Sequence, residues 1–197
     1  MKILSVSDVV IKKLIEPEHR IEGIDLILSC GDLPPEYLAA LKQRYNVPLY
    51  YILGNHDLRY KESPPLGCMD INRRILTIGP LKITGFSGSR WYNGNINQYT
   101  EKQMARFIGK LRFSLWRHKG IDLVISHAPP RFINDAEDPC HRGFRAFRRF
   151  IDKYQPHYFI HGHIHKFFKD DSTRITQVNK TSVINSYGYH VLKIEHL

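Results

Sequence analysis

Short apolar runs alternate with amphipathic stretches along this chain, the period-2 and period-3.6 patterns of strands and helices following one another. Ile3 to Ser7 reads as a first strand ending at Asp8, and Asp25 to Cys30 as a second ending at Gly31-Asp32. Pro34 stands where a helix accepts a proline, and Tyr37, Leu38, Leu41 and Tyr45 recur behind it at helical spacing. Val47 to Leu53 predicts a third strand, closed by Gly54-Asn55-His56-Asp57. After a loop rich in proline and glycine, Ser63 to Gly67, the runs Arg74 to Ile78 and Leu81 to Phe86 predict a hairpin around Gly79-Pro80.

In the second half, Thr100-x-x-Gln103 is a capping box that opens a long helix. Its apolar stripe, Met104, Phe107, Ile108, Leu111, Leu115 and Trp116, is expected to face the core. Leu123 to Ser126 predicts a strand ending at His127. Phe144, Phe147, Phe150, Ile151 and Tyr154 mark a second helix, which Pro156 stops. His157 to His161 then leads as a strand into Gly162-His163-Ile164-His165, and Arg174 to Glu195 reads as two or three strands. The alternation is that of an α/β fold. With no repeat, low-complexity segment or linker, residues 1–197 are expected to form one domain.

Composition narrows the picture only in part. A chain of 197 residues with 42% hydrophobic content can bury one sizeable core. No stretch approaches the ~20 apolar residues of a membrane-spanning helix, and the N-terminus turns polar too early for a signal peptide, so a cytoplasmic protein without membrane contact is expected. The three cysteines, Cys30, Cys68 and Cys140, are odd in number and form no C-x-x-C pair. That spacing argues against a disulfide framework and against a cysteine-based zinc site. The formal charge of +10 invites a nucleic-acid reading. A basic solvated face gives the same number, and anionic substrates of any kind would be steered by it.

The chemistry shows in where the polar residues fall. Asp8, Asp32, Asn55-His56, His127 and His163/His165 each follow an apolar strand. In open α/β sheets the loops beyond the carboxyl ends of strands converge on one crevice. Gly31, Gly54 and Gly162 precede three of these groups and permit close backbone approach. Mixed oxygen and nitrogen donors without thiolate suit Mn, Fe, Zn or Mg. Two such ions about 3.5–4 Å apart clamp a phosphoryl group and lower the pKa of bound water. No Gly-x-Ser-x-Gly motif or P-loop offers another route.

The set Asp8, Gly31-Asp32, Gly54-Asn55-His56-Asp57, Ser126-His127 and Gly162-His163-Ile164-His165 resembles the calcineurin-like metallophosphoesterase superfamily over essentially the whole chain. The resemblance implies a four-layer αββα sandwich with two mixed β-sheets and a dinuclear site holding two divalent metal ions. It implies that Asp32 bridges both metals, that Asp8 and His165 serve the first, and that Asn55, His127 and His163 serve the second. It further implies that a metal-bound water or hydroxide attacks in line while His56 protonates the leaving oxygen. Asp57 either orients the His56 imidazole or caps the following turn. His141, Arg131 and Arg142, in a stretch that resembles one some members carry before the last motif, are candidates for substrate contact.

One departure matters. The superfamily's first motif is Asp-x-His, and here it reads Asp8-Val9-Val10, so the first site lacks a ligand. Disturbing an outer partner of a metal ligand already weakens binding by ~10–100-fold, so unequal sites are expected, the first weaker. His141 is also a candidate to replace the missing ligand. His19, His118, His157, His161, His190 and His196 read as structural or solvated. The leading expectation is a phosphoester hydrolase, favouring phosphodiesters of small molecules. The alternatives are a weakly active or inactive scaffold, as in the superfamily's retromer subunit, and a nuclease, with nucleic acid the less favoured partner because the chain has no length to spare for DNA-capping segments.

Overall fold

The apolar run Lys2–Ser7 forms strand β1, buried from its second residue to its last, and a five-stranded sheet grows around it. Our computed structural model describes residues 1–195, so His196 lies outside the described residues. β1 pairs in parallel with β2 (Leu26–Ser29), which continues in parallel to β3 (Leu49–Tyr51) and the short β4 (Met69–Asp70). The C-terminal strand β13 (Gly188–Lys193) closes the other side of β1 antiparallel, Leu4 facing Val191.

A second sheet has six strands. β6 (Leu81–Phe86), β9 (Leu123–Ser126), β10 (Tyr158–His161) and β12 (Thr181–Asn185) run parallel to one another. β5 (Ile75–Ile78) and β11 (Ile175–Val178) flank them antiparallel. The tail therefore supplies three strands, β11 and β12 to one sheet and β13 to the other. Two further short strands, β7 (Ser89–Arg90) and β8 (Gln98–Tyr99), pair apart from both sheets and have no apolar signal of their own.

Both sheets are mixed, and side chains from their facing sides form one core: Ile3 and Leu28 of the first sheet pack with Ile83, Leu123, Ile125, Ile160 and Ile184 of the second. Helix α1 (Pro35–Tyr45) covers the outer face of the first sheet through Leu38 and Leu41. Helices α2 (Glu101–Lys110), α3 (Arg112–Arg117) and α4 (Arg145–Tyr154) cover the second, with Phe147 and Phe150 of α4 against Phe86 and Phe159. The four-layer αββα sandwich expected from the resemblance is present. Among the described residues no helix is long and apolar enough to cross a membrane.

The single long helix expected after Thr100 is instead two. The capping box forms, with Thr100 and Gln103 satisfying each other's backbone groups. At the far end of α2 the Leu111 amide donates to the Ile108 carbonyl at 3.0 Å, a three-residue bond that tightens the last turn next to Gly109, a weak helix former. The break keeps Leu115 in the core but turns Phe113 and Trp116 outward, where their rings pack on each other at 5.8 Å and Trp116 is 75% exposed. Trp116 thus departs from the predicted stripe. Phe147→Ala should destabilise the fold by about 3–5 kcal/mol in urea denaturation, whereas Trp116→Ala should change it by no more than about 0.5 kcal/mol.

Candidate metal centre

The parallel strands deliver their ends to one rim. Asp8 follows β1, Asp32 lies just beyond β2, Asn55 beyond β3, His127 follows β9, and His163 and His165 lie beyond β10. The first three come from one sheet and the last three from the other. Three of them meet at the His127 ring, which is fully buried: its Nε2 lies 3.0 Å from Asn55 Oδ1, 3.0 Å from His163 Nδ1 and 3.2 Å from Asp32 Oδ2.

The backbone is bent to reach this arrangement. Asp8, Asp32 and His163 have φ of 65°, 56° and 68°, in the left-handed region where a non-glycine residue costs about 1–3 kcal/mol. Neighbouring groups hold each one there. The Asp8 amide donates to the Gly31 carbonyl at 3.2 Å, the Asp32 amide to Asp57 Oδ2 at 2.8 Å, and the His163 amide to both Asp8 carboxylate oxygens at 3.0 and 3.1 Å. Gly31 is itself left-handed, at φ 90°, and its Cα faces the Gly54 backbone so closely that any Cβ would overlap it. A Cβ on Gly162 would likewise overlap the Ser7 hydroxyl and stand 2.7 Å from Asp8 Oδ2.

Main-chain carbonyls decide which ring nitrogen carries a proton. His127 Nδ1 is 2.8 Å from the Cys30 carbonyl, and His163 Nε2 is 2.6 Å from the Cys140 carbonyl. A carbonyl can only accept, so those nitrogens are the N–H groups of the neutral rings. The opposite nitrogens, His127 Nε2 and His163 Nδ1, then face each other, able to share a proton or to ligate. The Asn55 amide donates its Nδ2 to the Tyr92 hydroxyl at 3.3 Å, which leaves Oδ1 facing inward. Four donor atoms, two nitrogens and two oxygens, face one point, and positive charge there, a proton on His127 Nε2 or a bound cation, makes that arrangement favourable. The donor set fits a divalent metal of the Mn, Fe or Zn type.

The electrostatics agree. Burial pulls the His127 imidazole down, but the Asp32 carboxylate, its hydrogen bond and the charge of Asp8 lift it to about 9. Burial raises the Asp32 carboxyl, and His127 outweighs this and holds it at about 2. Burial, reinforced by repulsion from His127, keeps His163 well below the usual imidazole range and so neutral. Positive charge is stabilised at His127 Nε2, where a bound cation would take the place of that proton. Asp8 is anchored beside it by the Ser7 hydroxyl at 2.6 Å, with His165 Nε2 at 3.6 Å from its Oδ1.

The remaining candidates are placed as follows. His56 is exposed, its amide donating to Asp32 Oδ1 at 2.8 Å, and it lines a cavity of about 240 Å³ with Asp32, Asp57 and Arg59. Asp57 gives Oδ2 to the amides of Asp32 and Gly54, both at 2.8 Å, so it ties the two motif loops together rather than orienting the His56 ring. Burial pushes its carboxyl up to about 6. His141 stands over the inner histidines, its ring centroid 5.3 Å from that of His163 and 6.3 Å from that of His165. Arg131 is not presented to the crevice as a free phosphate ligand: it is held by Asp135 at 2.6 Å and by both oxygens of Glu137. Arg142 donates to the Glu137 carbonyl in the same loop. Val10 is 38% exposed and offers no donor. The carbonyls of Cys30 and Cys140 and the Tyr92 hydroxyl had no signal in the sequence.

A family model described as calcineurin-like phosphoesterase matches residues 1–167. No curated protein matches the chain. Among solved structures, the chain is similar to the TT1561 protein of Thermus thermophilus, with a TM-score of 0.66 at 14% identity over 95% of this chain and 89% of that one. It is similar to a dimetal phosphatase from Danio rerio, with a TM-score of 0.59 at 12% identity over 96% and 91% of the two chains. It is also similar to a single mutant of Vps29 from Entamoeba histolytica, with a TM-score of 0.51 at 13% identity over 98% and 86%. At these identities the likeness is one of fold.

Because a Cβ at Gly162 would push on Ser7 and Asp8, Gly162→Ala should leave the fold cooperative but weaken Mn or Zn binding at least ~10-fold by calorimetric titration. Unchanged affinity would mean that this close approach does not shape the site.

Proposed function

Since the chain belongs to the calcineurin-like phosphoesterase family and is a metal-dependent phosphoric ester hydrolase, we propose that it cleaves small-molecule phosphodiesters by in-line displacement, with water as nucleophile and His56 as leaving-group acid. The observation that carries this reading is the convergence of His127 Nε2, His163 Nδ1, Asn55 Oδ1 and Asp32 Oδ2 on one point. Two divalent cations supply charge neutralisation for the phosphoryl oxygens and a lowered pKa for water. Everything else falls to side chains of this chain.

Asp32, Asn55, His127 and His163 would hold the second cation; Asp8, Asp32 and His165 would hold the first. The Cys30 and Cys140 carbonyls keep the two inner rings in the tautomer that ligates. Asp57 fixes the loop carrying Asp32 through the Asp32 amide, and Asp32 Oδ1 in turn receives the His56 amide, so the acid is positioned from the Asp32 carboxylate. His56 is exposed beside a cavity wide enough for a small substrate group, which suits a proton donor that meets the leaving oxygen from solvent. The two cation sites are unequal, because Val10 stands where the first motif would carry a histidine and His165 alone supplies nitrogen to that side.

With Mn added, the protein should hydrolyse a chromogenic phosphodiester, and His56→Ala should lower kcat by about 10²–10⁴ while metal content stays the same. Absence of turnover with Mn, Fe, Zn, Co and Mg would replace this reading with that of a scaffold on the same fold. Val10→His should tighten the weaker cation at least ~10-fold in a metal titration; two equally tight ions in the unaltered protein would contradict the inequality.

A further inference from the structure

We propose that Asp138, Cys140 and His141 form an outer binding site for a single borderline-soft divalent cation, of which zinc is the natural example, on the loop that overhangs the metal centre. The three side chains face one another at the surface, with Asp138 exposed and Cys140 and His141 half-buried. Cys140 Sγ lies 2.8 Å from Asp138 Oδ1 and 3.3 Å from His141 Nδ1, and His141 Nδ1 lies 2.9 Å from Asp138 Oδ1. Ligand atoms of all three fall within 4.8 Å of one another, as do those of Asp32, His127 and His163.

The spacing is close to what a tetrahedral ion requires. Donors ~2.0 Å (oxygen, nitrogen) and ~2.3 Å (sulfur) from a common zinc are ~3.3–3.5 Å apart. The observed separations need to open by no more than about 0.7 Å to match it. Carboxylate, imidazole and thiolate together form a donor set that favours zinc over Mg or Mn, unlike the oxygen-rich first site inside the crevice. Three protein ligands leave a fourth position for water or an anion.

The loop is built to hold these groups in place. Arg131, itself buried, is clamped between Asp135 and Glu137, and Arg142 returns to the Glu137 carbonyl. The Gly143 amide donates to Asp135 Oδ2 at 3.0 Å and the Ala136 amide to the His141 carbonyl at 3.3 Å. These cross-links hold residues 131–143 as a closed unit before any ion arrives. The loop is also joined to the inner centre, since Cys140 gives its carbonyl to His163 Nε2 and the His141 ring lies against the His163 ring. On binding, the Cys140 thiol proton passes to bulk water, the sulfur–metal bond replaces the S–H bond, and no electrons are transferred.

This site stands independently of the phosphoesterase reading, and a cobalt titration of the full chain separates the two. Co(II) bound to a thiolate shows a near-ultraviolet sulfur-to-cobalt charge-transfer absorption that oxygen and nitrogen ligands do not give. The unaltered protein should show it, and zinc should displace it. Cys140→Ser should abolish it, Asp138→Asn should weaken cobalt binding at this site at least ~10-fold, and Cys68→Ser should leave it intact. Asp32→Asn, which removes an inner ligand, should retain it. Each variant is checked for native far-ultraviolet circular dichroism. No sulfur band in the unaltered protein, or a band that survives Cys140→Ser or vanishes in a folded Asp32→Asn, overturns the proposal.

Discussion

Lone pairs aimed at a common point repel, and the structure around His127 only makes sense with positive charge among them. The carbonyls of Cys30 and Cys140 accept from the outer ring nitrogens, so the inner nitrogens of His127 and His163 face each other. Asn55 is turned the same way by Tyr92. Much of the fold can be read as support for that arrangement. Two sheets align their carboxyl ends, three residues accept left-handed backbone, and glycines remove the side chains that would hold the loops apart. The strain at these three positions is offset by a well-packed core between the sheets.

Much of this was legible in the residues because both signals are local. Short apolar strand runs ending in Asp, Asn or His carry the element and its chemistry in one stretch, so the β1, β2, β9 and β10 ends could be read directly. What escaped has no side-chain signature. A main-chain carbonyl that fixes a tautomer looks the same in every residue, so the roles of Cys30 and Cys140 were invisible. The break between α2 and α3 was hidden because the apolar spacing continues across it, and only the three-residue bond at Leu111 shows where Trp116 leaves the stripe. By residue type Asp57 could orient His56 or cap the following turn, and Arg131 could contact substrate. Burial decided otherwise: each was taken up by nearby partners, two amides for Asp57 and two carboxylates for Arg131.

The loop from Arg131 to Gly143 connects the inner centre to the outer donor cluster. Counting cysteines by C-x-x-C spacing sees nothing in Asp138-x-Cys140-His141, because a mixed donor set has no such spacing. Yet the same loop fixes an inner ligand through its backbone and presents a second donor cluster through its side chains. Val10 carries no donor atom, and His141 brings an imidazole over His163 and His165. A balance of charge and ligands in this region therefore has to include the loop as well as the strand ends.

Whether a cation sits among these four donors is best decided with crystals of the protein grown in Mn or Zn and measured at the metal's absorption edge. An anomalous peak is expected about 2.0–2.2 Å from His127 Nε2, His163 Nδ1, Asn55 Oδ1 and Asp32 Oδ2 together. A peak that misses these four atoms would contradict a metal centre at the strand ends. So would inner histidines found rotated, their N–H groups turned toward the neighbouring carboxylates and no metal between them.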